Sequence, residues 1–248
     1  MQTNIYHISY TPDNKEISLF FWGCNFHCLG CLCLKKNSNF LLTENLHLPF
    51  KEPKETDPPP QKFLTMDELV IMLDKLDFNT VLLEGQEAAI DPAYYDITKM
   101  LHEKYGSRNI LCTNLYELPN LGHTDAIAAS IKVMDEDKHL EYTGKPIEPV
   151  KKNLKEVFNN GKKLSIATVF TPEYIGLNEI EEIAKFISSV SKDILLNIVP
   201  YFKAGDNPWR HPTPEEMEEA GKIAKKHLNR VFSWTGHEPM NSEVVKIF

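Results

Sequence analysis

Residues 23–33 read GCNFHCLGCLC and contain four of the five cysteines in this chain of 248 residues. Cys24, Cys28 and Cys31 follow the spacing C-x3-C-x2-C. The stretch ISLFFW at residues 17–22 comes directly before them, and such a short apolar run predicts a buried strand. The cysteines are therefore expected in the loop at the carboxyl end of that strand.

The bulk composition excludes several classes of protein. Apolar residues make up 42% of the chain, so it is neither disordered nor fibrous. The net charge of -8 argues against nucleic acid as the main partner, because phosphate binding usually needs a basic face. We find no secretory signal and no apolar run of membrane-spanning length. We therefore expect a soluble, cytoplasmic protein in which clustered cysteines indicate metal or redox chemistry rather than disulfides.

Apolar runs and helical patterns alternate about six times along the chain. Two capping boxes, Thr65 with Glu68 and Thr213 with Glu216, mark helix starts. The predicted helices span 65–76, 92–102, 146–159, 178–190 and 213–228. The predicted strands span 17–22, 80–84, 109–113, 126–133, 164–170, 194–200 and 230–234.

This alternation predicts βα units around a parallel sheet, either a barrel or an open doubly wound sheet. In both architectures the site lies at the carboxyl ends of the strands. We expect one domain over residues 1–248. The proline-rich segment at about residues 49–62 is predicted to be an irregular excursion from it.

Three thiolates on one loop suit a metal centre that keeps a coordination position open. Structural zinc sites usually have four ligands in two separated pairs. A four-iron cluster held by three cysteines leaves one iron free for another ligand. A zinc site and unconnected thiols remain alternatives at this point.

The cysteine spacing after a first strand resembles the radical S-adenosylmethionine (SAM) superfamily, and most closely its glycyl-radical-enzyme activases, such as the pyruvate formate-lyase activating enzyme. LLEGQEAAI, LCTNLYEL, AIAASIK and NIVPYFKAG are similar to further segments of that family, in the same order. The resemblance implies a partial (β/α)6 barrel of the TIM type, a [4Fe-4S] cluster and SAM.

The resemblance also implies roles for individual residues. Cys24, Cys28 and Cys31 would be the cluster ligands. Backbone carbonyls near Gly85 would accept from the SAM amino group, and Lys132 would pair with the SAM carboxylate or ribose region. The complete set implied for cofactor binding is Gly30, Gly85, Gln86, Glu87, Asn114, Ser130, Lys132, Ile198 and Phe202.

Several positions depart from the family pattern. Gly30 replaces an aromatic residue, Gln86 a glycine and Phe202 a histidine. Cys112 and Ser130 stand where the activases have the acidic residues of a monovalent-cation site. These departures leave the cluster and SAM expectations intact and weaken the transfer of the specific substrate.

Three functions compete on the sequence alone. The first is activation of a glycyl radical enzyme, with a flavodoxin or ferredoxin as electron donor. The second is radical chemistry on a small molecule or peptide in cofactor or natural-product maturation. The third is a non-catalytic iron–sulfur or zinc protein.

Four side chains carry open alternatives beside these readings. Cys33 is read as a spare thiol near the cluster, with a fourth ligand or a packing residue as alternatives. Cys112 is read as a small buried residue. Glu87 could cap the following helix instead of serving SAM. Trp209, in the stretch NPWRHP, could gate the barrel mouth or decorate a loop.

Overall fold

The computed structural model describes residues 1–45, 53, 55–236, 238–239 and 242–248. Within these residues the strands form one sheet in the order β8-β7-β6-β5-β4-β3-β2-β1-β9. Strands β2 to β8 run parallel, whereas β1 is antiparallel to both β2 and β9. The strands are β1 Ile5–Thr11, β2 Glu16–Phe21, β3 Thr80–Gly85, β4 Arg108–Thr113, β5 Ala126–Ser130, β6 Lys163–Phe170, β7 Leu195–Pro200, β8 Val231–Ser233 and β9 Val245–Lys246.

Helices provide most of the crossovers between the parallel strands. Both predicted capping boxes form, and each satisfies backbone N–H groups at a helix start. The chain passes from β4 to β5 without a helix. The helices are α1 Met66–Leu73, α2 Tyr94–Met100, α3 Glu136–Thr143, α4 Glu148–Asn159, α5 Leu177–Val190 and α6 Pro214–Lys225, and Leu101–Tyr105 extends α2 as one π-helical stretch.

The two faces of the sheet have different environments. Leu83, Leu111 and Leu196 alternate with inward-facing neighbours and are fully buried in the main hydrophobic core. Glu84 and Cys112, one position further along, are only partly buried and line a concave inner face. Because side chains alternate along a strand, this inner face receives the polar residues that interrupt each apolar run.

The sheet does not close through its own hydrogen bonds, since β8 and β9 lie at opposite edges of the strand order. The chain after β8 travels to the other edge, where β9 pairs with β1. Val244 donates to Thr43 and accepts from it, so this segment also meets the loop that follows the cysteines.

Two strands and one helix, β1, β9 and α3, are absent from the sequence prediction. Strand β1 mixes polar and apolar residues, and it is recognisable only by its antiparallel pairing with β2. Helix α3 has little apolar character, and it is defined by its ends: Asp135 caps its start, and Gly144 (φ 77°) ends it. The strand predicted at 126–133 is confirmed but ends at Ser130.

The predicted proline-rich excursion falls partly outside the described residues, at 49–52 and 54. Residues 55–62 contain neither helix nor strand, and Asp57 there binds Lys36 at 2.7 Å. No helix among the described residues is long and apolar enough to cross a membrane.

A cysteine-lined candidate cofactor site

A cavity of about 240 Å³ opens at the carboxyl ends of strands β2 to β5. The cysteine loop that follows β2 forms one wall, and the ends of β3, β4 and β5 form the others. The cavity therefore lies at the edge of the sheet where the sequence predicted the site. The lining residues are Cys24, Phe26, Cys28, Cys31, Cys33, Glu84, Gly85, Gln86, Glu87, Cys112, Thr113, Asn114, Ser130 and Lys132.

The thiols of the cysteine loop differ in acidity. Burial raises the pKa of Cys24 to about 11 and that of Cys28 to about 12. A hydrogen bond from the Cys33 thiol lowers the pKa of Cys31. Because thiolates are the metal-binding form, Cys24 and Cys28 must release protons when a metal binds.

The cysteine side chains line the cavity without converging on one point. Among the described residues, no three His, Cys, Asp or Glu side chains are close enough to hold a single metal ion. Three thiols and one ammonium group in the same cavity suit a larger polynuclear cluster. The donor set therefore fits an iron–sulfur cluster with an open coordination position.

One side of the cysteine loop is attached to the end of β3 by the side chain of Gln86. Its Oε1 accepts from the N–H of Gly23 at 2.9 Å, and its Nε2 donates to the carbonyl of Cys33 at 3.4 Å. Gly85 has φ 104°, and a Cβ there would lie 2.7 Å from the nitrogen of Phe21. Glycine at position 85 thus lets β3 lie close to β2, and Gln86 joins the start and end of the loop.

The other side of the loop is attached to helix α3. The N–H of His27 donates to the carbonyl of Thr143 at 2.8 Å, and that of Leu29 donates to the carbonyl of Tyr142 at 3.1 Å. Asn207 also donates to the carbonyl of Leu29, at 2.8 Å. Three backbone groups of the loop are therefore satisfied from distant segments.

Aromatic rings fill the space that Gly30 leaves free. A Cβ at Gly30 would lie 2.9 Å from a ring carbon of Tyr201 and 3.4 Å from one of Trp209. The Trp209 ring stacks on Tyr174, with centroids 4.2 Å apart. Position 30 therefore requires glycine because these rings occupy its side-chain volume.

Trp209 is thus a packing residue against the cysteine loop, which answers one question raised by the sequence. Its neighbour Arg210 binds Glu216 of α6 at 2.7 Å and Glu173 at 3.4 Å. The stretch NPWRHP is therefore tied to the scaffold on both sides of the tryptophan.

Glu87 serves the backbone rather than the cavity interior. Its side chain is only 2% exposed, and its carboxylate accepts from the N–H groups of Ala89 at 3.2 Å and Asn114 at 2.8 Å. The capping alternative raised by the sequence is therefore the one observed. Asn114 in turn donates to the side chain of Asn25 at 2.7 Å, which links β4 to the cysteine loop.

Lys132 brings a positive charge into a cavity of thiols. It follows β5, is partly buried, and forms no hydrogen bond or ion pair with the described part of the chain. Its charge opposes the rise that burial causes in the pKa of Cys28. An unpaired, partly buried ammonium needs an anionic partner, so the cavity is suited to a ligand with a negative group.

Three predicted cofactor residues lie elsewhere. Ile198 is fully buried in the main core and does not line the cavity. Phe202 lines a second, adjoining cavity. Gly30 contacts aromatic rings and is also outside the lining. The sequence did not reveal that the side chains of Ile198 and Phe202 point away from this cavity, or that aromatic rings cover Gly30.

Besides the residues predicted for cluster and SAM binding, the lining contains Phe26, Cys33, Glu84, Cys112 and Thr113. The sequence already placed Cys33 near the cluster, whereas Cys112, predicted to be a small buried residue, is only partly buried and faces the cavity. The inward orientation of Glu84 and Cys112 follows from strand alternation once the register is known, because Leu83 and Leu111 point outward.

Comparisons with known proteins agree with this geometry. The sequence profile of the Radical SAM superfamily matches residues 19–187. A Methanocaldococcus jannaschii protein named a glycyl-radical enzyme activating enzyme is 29% identical over 239 residues, which is 90% of this chain and 82% of that protein. The pyruvate formate-lyase-activating enzyme of Staphylococcus epidermidis is 29% identical over 119 residues, 43% of this chain and 46% of its own length.

A solved structure extends the likeness to the fold. QueE from Escherichia coli superposes with a TM-score of 0.55 and 15% identity, covering 94% of this chain and 95% of its own. The parallel sheet with flanking helices is therefore a partial barrel of the TIM type, as the resemblance implied.

Proposed function

The chain belongs to the radical SAM superfamily, and from that premise we propose that it activates a glycyl radical enzyme by generating a radical on a glycine of that partner. It is an enzyme, and its cofactors are those of the family, a [4Fe-4S] cluster and SAM. The relatives described above, named activating enzymes, support this choice of substrate.

The observation that carries the proposal is the grouping of Cys24, Cys28 and Cys31 with Lys132 in one cavity at the strand ends. We assign the three thiolates as cluster ligands. When bound, the cluster would supply the electron for reductive cleavage of SAM, and this cleavage would provide the radical that takes a hydrogen atom from the substrate.

The remaining roles belong to the cavity walls. Lys132 would pair with the SAM carboxylate, because its ammonium has no partner in the described chain. Backbone carbonyls at Gly85, Gln86 and Glu87 would accept from the SAM amino group, while the Glu87 carboxylate maintains the shape of the wall. Ser130 and Asn114 would provide further polar contacts.

The electron must come from a partner. We propose a flavodoxin or ferredoxin, because cluster potentials can reach about -700 mV and thiol systems are far less reducing. The five cysteines are free in the structure, which suits a reducing cytoplasm.

The test begins with protein reconstituted with iron and sulfide without oxygen. With dithionite and SAM, we expect 5′-deoxyadenosine, measured by chromatography, and none from Cys24→Ala, Cys28→Ala or Cys31→Ala. Cys33→Ala is the matched control and should retain production. Equal production by any of the three variants would remove that cysteine from the ligand set.

The partner is tested in a second step. Adding a candidate glycyl radical enzyme should give the electron paramagnetic resonance doublet of a glycyl radical, with about one SAM consumed per activated chain. SAM cleavage without any protein radical, together with many turnovers on a small molecule or peptide, would overturn the activase assignment.

One observation favours the alternative function, which is radical modification of a small molecule or peptide. A cavity with carboxylate and aromatic walls adjoins the cysteine-lined one, and it is large enough for a small molecule. Radical modification of a small molecule or peptide is therefore the alternative that the experiment distinguishes.

A further inference from the structure

A second cavity, of about 380 Å³, lies on the inner face of strands β1 to β3. It shares two lining residues, Cys33 and Glu84, with the cysteine-lined cavity. The two cavities are therefore neighbours separated by these side chains. The loop after the cysteines and Val244, just before β9, complete its wall.

The polar lining of this second cavity includes two carboxylates. Glu16 and Glu84 both line it, and neither forms an ion pair within the described residues. Glu84 accepts a hydrogen bond from the Ser18 hydroxyl. Lys36 also lines the cavity, but its ammonium binds Asp57 at 2.7 Å. Burial raises the pKa of both glutamates, because desolvation disfavours the charged carboxylate, and a bound cation would oppose this effect.

Aromatic side chains form much of the remaining wall. Tyr6, Phe20, Phe40 and Phe202 all line the cavity. The rings of Tyr6 and Phe20 meet edge to face, with centroids 6.4 Å apart. Ring faces attract organic cations and also bury hydrocarbon, so both the rings and the carboxylates favour the binding of an organic cation.

We propose that the second cavity binds an organic cation, a positively charged nitrogen on a hydrocarbon or aromatic body. The carboxylates supply the opposite charge and the rings cover the organic part. The volume of about 380 Å³ lies in the range of small-ligand pockets. The cation would lie beside the cysteine-lined cavity, so this ligand is a substrate or part of one: a basic side chain of the partner under the proposed function, or a free amine under its alternative. This last step rests on the proposed function.

The same chemistry could reach the cavity from two sources. One is a free amine, and the other is a basic side chain on a peptide segment of a partner. Benzylammonium represents the first, and a short peptide with one lysine represents the second. Benzyl alcohol and the same peptide with norleucine are their uncharged counterparts.

Isothermal titration calorimetry on the reconstituted holoenzyme tests the proposal. We expect benzylammonium or the lysyl peptide to bind at least about tenfold more tightly than its uncharged counterpart. Whichever cation binds more tightly identifies the source. Equal affinities for charged and uncharged probes, or no binding of either cation, would overturn the proposal.

Isosteric variants of the two glutamates test whether the cation binds in the second cavity. Glu84→Gln and Glu16→Gln should each weaken cation binding and leave benzyl alcohol binding unchanged. Glu218→Gln removes a carboxylate on α6 that pairs with Lys222, and it should change nothing. Unchanged cation affinity in both cavity variants would place the cation elsewhere and reject this site. Two separate variants keep the test decisive if one fails to fold.

The failure of this proposal is distinguishable from failure of the proposed function. SAM cleavage to 5′-deoxyadenosine, measured on the same holoenzyme without any probe, reports the cysteine-lined cavity alone. Cleavage without cation binding would reject only the second site. Cation binding without cleavage would reject only the radical function.

Discussion

The two attachments of the cysteine loop differ in how they are built. On the β3 side, one glutamine side chain joins both ends of the loop through hydrogen bonds. On the α3 side, the N–H groups of His27 and Leu29 donate to carbonyls of α3, and the rings of Tyr201 and Trp209 occupy the space beside Gly30. The first attachment depends on one polar side chain close to the motif, whereas the second adds volume supplied by distant residues. The loop that carries the thiols is therefore fixed by two independent kinds of interaction.

The largest effect is expected at Lys132, which takes part in neither attachment. If its ammonium pairs with the SAM carboxylate, Lys132→Ala should weaken SAM binding by about 10- to 100-fold, the value of a charge-assisted hydrogen bond. Iron content should stay the same, because neither attachment of the loop is touched. Equilibrium dialysis with labelled SAM measures the affinity, and Lys132→Met keeps the side-chain length without the charge. An unchanged affinity would remove Lys132 from the site.

Disrupting the aromatic packing beside Gly30 should have an effect of similar size, here on the free energy of unfolding. Gly30→Leu forces a side chain into the rings of Tyr201 and Trp209, and overpacking of this kind costs about 1–3 kcal/mol. Denaturant unfolding of the apoprotein measures the loss. Gly176→Ala is the matched control, since nothing lies within 4 Å of a Cβ there.

A double variant tests whether a side chain at position 30 and the Trp209 ring compete for the same space. Trp209→Ala empties part of the volume, so Gly30→Leu should be less destabilising in that background. Additive losses would mean that the two residues do not compete for one space.

Breaking the polar attachment is expected to cost less. Gln86→Ala removes two hydrogen bonds to the ends of the loop, a loss of about 1–2 kcal/mol. The variant should also lose iron to a chelator faster than the wild type. Gln86→Glu keeps the acceptor for Gly23 but not the donor to Cys33. Its rate of iron loss should therefore lie between those of the wild type and Gln86→Ala. Identical chelation rates in all three proteins would reject a positioning role for Gln86.

The smallest effect is expected for the ion pair between Arg210 and Glu216, which attaches the stretch NPWRHP to α6. The Arg210 guanidinium lowers the pKa of Glu216 to about 2, helped by the backbone of Thr213. A carboxyl whose pKa is depressed stabilises the fold above its unfolded pKa, and that contribution disappears as the pH falls through its folded pKa. The difference in unfolding free energy between wild-type and Glu216→Gln apoprotein should therefore shrink from about pH 5 towards pH 2. A difference that is constant with pH would contradict the ion pair.

The sequence predicted the parallel sheet and the edge that carries the site because both depend on local patterns. Apolar runs ending at Gly23, Gly85 and Asn114 mark strand ends, and parallel strand ends meet at one edge. Strand β1 and helix α3 escaped because their stability comes from partners and end caps rather than from periodicity.

The composition of the site was harder to predict than its location. Ile198 lies near the carboxyl end of β7, at the edge of the sheet that carries the site, but its side chain points into the core. Its orientation depends on the register of β7 with β6 and β8, which the sequence does not show. The aromatic packing on Gly30 joins segments that are far apart in sequence. Only the folded structure shows that the missing ring at position 30 is compensated by rings from elsewhere.

The pairing of β9 with β1 has a consequence for synthesis. Every residue lining the cysteine cavity has been made once Lys132 leaves the ribosome, whereas Val244 of the second cavity comes long afterwards. Strand β1 must wait until β9 has been made before its outer edge is covered. The rings of Tyr201 and Trp209 that pack beside the thiol loop are made before Val244, so the cysteine cavity can be completed before the second cavity.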